Sequence, residues 1–143
     1  CNTLPRLSKC AVEGTNMNNS HDTFSFSGRI RSGTHAVHGI IEMLRSQHNA
    51  WVHAVATLCV IVAGVIFGIS TTQWCLLILV ITTVWVAEGL NTAFEFLCDV
   101  ASPEFHPLVK KSKDVAAGAV LLSAVGAVSV GLIIFIPYAI AFL

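Results

Sequence analysis

The residues best suited to do chemistry stand close together in an otherwise apolar stretch: Glu88, Asn91, Thr92, Glu95 and Asp99. Their spacing of i, i+3, i+4, i+7 and i+11 puts all five on one face of a helix. A charge in hydrocarbon is costly, so carboxylates in such a segment face a bundle interior, a cavity or a metal ion. A simple packing pair or a helix end at the membrane interface is the bland explanation, and it would be stronger for a lone glutamate than for this set. Glu88 and Glu95 lie two turns apart, roughly 10 Å along the axis. They are too far apart to share one proton but suited to separate tasks. One can accept a proton from a substrate hydroxyl while the other, nearer the cytoplasm, holds a divalent cation on a nucleotide phosphate. Nearby lysines can neutralise phosphate charge, and the division of labour is that of a phosphoryl-transfer site. The chain has no Gly-x-x-x-x-Gly-Lys-Ser/Thr loop, no kinase glycine-rich loop and no His-Arg-Asp catalytic loop, so any ATP site is of another design.

These side chains need a membrane scaffold. Of 143 residues, 55% are hydrophobic and only 11% charged, too apolar for an ordinary soluble domain. Three apolar blocks give spans expected at about 50–69, 74–98 and 115–143, each long enough for roughly 30 Å of hydrocarbon. Ile30, Val37, Ile40, Ile41 and Leu44 recur near the helical period among charged residues and histidines, which predicts an amphipathic helix on the membrane surface over about 28–49. The fold class is therefore an all-α membrane protein, a surface helix followed by three transmembrane helices. Residues 1–27 are polar without sustained period and read as a flexible extension to a membrane domain over 28–143. The beginning at Cys1 reads as a trimmed start.

The link at 70–73 is short and forces a helical hairpin, whereas the link between the second and third spans carries Asp99, Glu104, His106, Lys110, Lys111, Lys113 and Asp114. Chemistry is expected on that second side. Arg29, Arg31 and Arg45 precede the first span and three lysines precede the third, so the positive-inside rule places the N-terminus and the lysine-rich loop in the cytoplasm. Gly64 and Gly68, and the small residues Ala116, Ala117, Gly118, Ala119, Gly126 and Gly131, suit close helix packing. Three helices enclose little volume, and a homo-oligomer is the natural way to close a site. The five cysteines form no Cys-x-x-Cys pair and read as small apolar residues. No basic stripe interleaved with aromatics points to nucleic acid.

The run Glu88, Asn91, Thr92, Ala93, Glu95 and Asp99, followed by Pro103 to Pro107 and by Lys113 to Val120, resembles the small prokaryotic integral-membrane lipid kinases, diacylglycerol kinase and undecaprenol kinase. The resemblance extends from about Gly28 to the C-terminus. It implies a homotrimer in the bacterial inner membrane with active sites at the cytoplasmic interface, using ATP and Mg2+ on a membrane lipid alcohol. Glu88 looks like the catalytic base and contacts substrate, Glu95 looks like the metal ligand, and Asn91 and Asp99 support that face. Glu104, Phe105, His106, Lys113 and Asp114 match positions that cradle ATP. Arg29 and His35 match surface-helix positions that contact nucleotide and, for Arg29, lipid.

One departure stands out. Where the family commonly carries a glutamate completing the metal and phosphate site, this chain has Gln47, which offers a carbonyl oxygen but no charge to the metal and nucleotide. Glu42 lies about 140° around the helix and is a poor substitute. The remaining histidines, including His53 near the start of the first span, read as interfacial hydrogen-bonding groups; a zinc site would need partners they lack. A competing class is a non-enzymatic oligomer using Glu88 and Glu95 for proton or cation passage, but it needs polar groups towards both faces. The outer half of the second span is nearly free of them. The acceptor, diacylglycerol or undecaprenol, stays open at this level.

Overall fold

The computed structural model describes residues 26–102 and 104–141. The expected extension lies outside these residues except for its last two, as does Pro103. The described chain is four helices: α1 (Phe26–Ser46), α2 (His48–Phe67), α3 (Thr71–Ala101) and α4 (Pro107–Ala141). No strand occurs among the described residues. α2, α3 and α4 are each long and apolar enough to cross a membrane.

Helix boundaries differ from the sequence expectation where polar residues continue a helix beyond its apolar part. α1 ends at Ser46, and Gln47 has extended backbone, φ −115° and ψ 119°, before α2 begins at His48. α4 begins at Pro107, so Lys110, Lys111, Lys113 and Asp114 ride on its first turns and not in a loop. The start is well formed: the His106 carbonyl accepts from the Lys110 N–H at 3.1 Å, and His106 Nδ1 accepts from the Leu108 N–H at 3.2 Å. Proline follows at the first helical position, where its missing N–H costs nothing. Hydropathy marks the apolar length of a helix, and these caps set its true end.

The turn between α2 and α3 is closed chemically. Gly68, at φ 60°, ends α2 in the left-handed region, and the Ile69 N–H returns to the Gly64 carbonyl at 3.2 Å. Ser70 and Gln73 form a reciprocal capping box at the start of α3. The Tyr138 hydroxyl donates to the same Gln73 Oε1 at 2.8 Å, which ties α4 to the turn. Beneath it Ile69, Leu77 and Ile134 form a buried cluster against Phe67, Trp74 and Phe135. The pair Gly64 and Gly68 thus divides its duties: Gly68 is a helix cap, and Gly64 receives the Trp74 ring. α3 and α4 share the most extensive packing. Outward residues such as Leu58, Val65, Ile66, Leu122 and Ile133 remain exposed, as suits a surface covered by lipid or by other copies.

A Cβ built on Gly64 would stand 2.7 Å from Trp74 Cη2. Gly64→Ala is expected to destabilise the folded chain by about 1–3 kcal/mol through overpacking, with recovery in Gly64→Ala/Trp74→Leu. Thermal unfolding in detergent micelles checks both.

Candidate active site

α3 presents the five polar residues on one face, graded from dry to wet. Glu88 is fully buried, Asn91 and Thr92 are nearly so, Glu95 is half-buried and Asp99 is exposed. The gradient follows from helix geometry, since Glu88, the pair Asn91 and Thr92, Glu95 and Asp99 succeed one another at about one turn each toward the polar end of the bundle.

At the dry end, neither carboxylate oxygen of Glu88 has a hydrogen-bond partner among the described residues. The Thr92 hydroxyl lies one turn on but donates to the Glu88 backbone carbonyl at 2.9 Å, leaving the carboxylate alone. The nearest polar group recorded for it is His53 of α2, whose Nε2 lies 3.8 Å from Glu88 Oε2. The Trp85 indole N–H donates to the Thr57 hydroxyl at 3.2 Å, joining α2 and α3 one turn beyond His53.

Two turns above Glu88, Glu95 gathers two carboxamides. Gln47 Nε2 donates to Glu95 Oε2 at 2.6 Å, and Asn91 Nδ2 donates to Oε1 at 3.1 Å. The break between α1 and α2 is what lets Gln47 reach α3. Asn91 Oδ1 is buried without a partner. An amide turned about its terminal torsion presents oxygen where nitrogen stood, so Glu95, Gln47 and Asn91 can offer one carboxylate and two carbonyl oxygens to a cation. That donor set fits Mg2+, which is commonly held by one or two carboxylates, substrate phosphates and waters. No cluster of three or more His, Cys, Asp or Glu side chains suited to a metal occurs among the described residues, so a metal here relies on amide, water or phosphate oxygens.

Beyond Glu95 the face opens into a surface concavity of about 420 Å³ bordered by Asp99, Glu104, Phe105, His106, Lys113 and Asp114. Lys113 Nζ donates to Asp99 Oδ1, pairing α4 with α3, and Lys110 pairs with Asp114 at 2.9 Å. Of the sequence-expected residues, Asp99, Glu104, Phe105, His106, Lys113 and Asp114 share this concavity. Gln47, Asn91 and Glu95 form a separate group, and Glu88 lies two turns deeper than Glu95. Arg29 and His35 are exposed on α1 and border no part of this concavity; along the helix they stand roughly 27 and 18 Å from Gln47. His53 is the residue that sequence reasoning left at the interface and the fold delivers to the site. Its signal was a lone imidazole within a block free of charged residues.

The architecture is that of an all-helical membrane protein with a buried carboxylate on one helix and an ionic hollow at the end of that helix. Residues 34–135 match the model of the prokaryotic diacylglycerol kinase family, and the chain belongs to that family. It is 39% identical over 107 residues to the undecaprenol kinase of Bacillus subtilis, covering 75% of this chain and 87% of that protein. It is 35% identical over 100 residues to a diacylglycerol kinase of Synechocystis, covering 69% of this chain and 57% of the relative. It is also 37% identical over 67 residues to a diacylglycerol kinase of Helicobacter pylori strain 26695. The protein is a kinase acting on a lipid alcohol.

An unpartnered buried carboxylate weakens a fold, and one kept nonetheless points to function. Glu88→Leu is expected to raise stability by about 1–3 kcal/mol, read as a higher unfolding temperature in micelles.

Proposed function

We propose that the chain is an ATP- and Mg2+-dependent lipid kinase on the cytoplasmic side of the bacterial inner membrane, active as a homotrimer of units spanning 28–143. In this reading α1 lies along the membrane surface as an amphipathic helix. The observation that carries the reading is Glu88, a buried carboxylate with both oxygens free to accept.

The lipid hydroxyl donates to the Glu88 carboxylate. As the alcohol oxygen attacks the γ-phosphorus of ATP, its proton passes to Glu88, the bond to the β-phosphate oxygen breaks, and ADP and the lipid phosphate leave. Burial keeps water from competing as acceptor. Glu95, with the oxygens of Gln47 and Asn91, would hold Mg2+, which when bound offsets phosphate charge. Lys113 supplies fixed positive charge beside the transferring group, exchanging its Asp99 partner for phosphate. Glu104, Phe105, His106 and Asp114 shape the hollow for the nucleotide. Arg29 and His35 contribute from α1 of the same or a neighbouring copy, which the trimer would bring closer.

Undecaprenol is the acceptor placed first, because the undecaprenol kinase relative is covered over most of its length and the Synechocystis diacylglycerol kinase over little more than half. Diacylglycerol comes second, giving phosphatidic acid.

Transfer of labelled γ-phosphate from Mg-ATP to each lipid in mixed micelles tests the proposal. Glu88→Gln is expected to lower turnover by about 10²–10⁴-fold while the assembly stays intact by light scattering. Gln47→Glu is expected to lower the Mg2+ concentration needed for half-maximal rate. Absence of transfer to either lipid would overturn the assignment of these acceptors and point to another lipid alcohol.

A further inference from the structure

A general base works only when its oxygen is held within about 2.6–3.2 Å of the proton it takes, and the terminal torsion of a glutamate is broad and soft. The Glu88 side chain is 1% exposed, and neither of its oxygens is fixed by a hydrogen bond among the described residues. Its neighbours along α3 are engaged elsewhere: Thr92 donates to the Glu88 backbone carbonyl, and the Asn91 amide donates to Glu95. Both oxygens of Glu95 are themselves occupied as acceptors, from Gln47 and Asn91. That leaves the imidazole of His53.

His53 reaches Glu88 from a different helix. Its side chain is 16% exposed, and Nε2 lies 3.8 Å from Glu88 Oε2. The residue also borders an apolar cavity of about 320 Å³ walled by Thr57, Val60, Val84 and Ala124. The ring therefore stands between hydrocarbon on one side and a carboxylate on the other, where its N–H gains most by turning to the carboxylate. The separation exceeds a hydrogen bond by less than 1 Å, a gap of the kind that closes when substrate fills a site.

We propose that His53 is a positioning residue for Glu88, donating Nε2–H to Oε2 and thereby aiming Oε1 at the lipid hydroxyl. The inference rests on the reading of Glu88 as the base. It makes the base a two-helix device, so the relative placement of α2 and α3 controls the chemical step.

The test uses the full chain in mixed micelles with Mg-ATP and undecaprenol, comparing wild type, Glu88→Gln, His53→Leu and His53→Gln, with ¹⁵N-histidine spectra of the wild type and Glu88→Gln. His53→Leu is expected to lower kcat by about 10- to 100-fold, with both KM values within about twofold of wild type. His53→Gln, whose carboxamide N–H reaches a similar point, should recover most of that loss. The His53 Nε2 resonance, assigned by its absence in His53→Gln, should move when Glu88 becomes Gln. Wild-type kcat in His53→Leu, no recovery in His53→Gln, or a resonance indifferent to Glu88→Gln would each overturn the inference while a dead Glu88→Gln left the base intact. Wild-type turnover in Glu88→Gln would overturn the base reading itself and the inference with it. Should His53→Leu fail to fold, His53→Gln and the spectra decide.

Discussion

A carboxylate held inside an apolar bundle is expensive, and the arrangement of this protein is organised around where that expense falls. Glu88 is fully buried, while Glu95 and Asp99 lie progressively closer to the surface on the same face of α3. The partners change along the way: an imidazole nearby for Glu88, two carboxamides for Glu95 and a lysine for Asp99. A straight helix can produce such a gradient because its rise converts position in sequence into depth. The deepest group is the least solvated.

The two ends of the bundle are built for different purposes. At the α2–α3 turn, Gly68, the Ser70–Gln73 capping box and the Tyr138 hydroxyl satisfy the local backbone and side-chain groups among aromatic residues. Nothing charged is required there. At the opposite end the chain breaks at Gln47, and α3 passes through a short segment into the lysine-bearing start of α4. These departures from continuous helix let Gln47 reach Glu95 and set the start of α4 beside the end of α3, around the hollow. The one-sided distribution of polarity suits an enzyme acting on a lipid within the membrane.

Membership of the prokaryotic diacylglycerol kinase family sets the reaction class, and the residues of this chain give it local character. Gln47 brings an amide where a carboxylate would add negative charge, and it already bonds Glu95 at 2.6 Å. Glu95 is thus the one carboxylate of the Gln47, Asn91 and Glu95 group. The ion pairs of Lys113 with Asp99 and of Lys110 with Asp114 keep basic groups at the hollow while leaving them exposed enough to exchange partners. Exposed pairs of this kind are weak, so a change of partner carries little penalty.

Much was determined by the sequence alone. Blocks without charged residues specify membrane-crossing helices because hydrocarbon admits little else, and the spacing of Glu88, Asn91, Thr92, Glu95 and Asp99 assigns them to one face because a helix repeats every 3.6 residues. Helix ends were less legible: the polar first turns of α4 and the break at Gln47 depend on caps and dihedral angles that hydropathy does not record. Partners between helices were not legible at all. That Gln47 meets Glu95, Trp74 fills the space over Gly64, and His53 faces Glu88 was decided by the tertiary structure, because the rotation and offset of packed helices follow from side-chain fit across their surfaces and not from periodicity within any one of them.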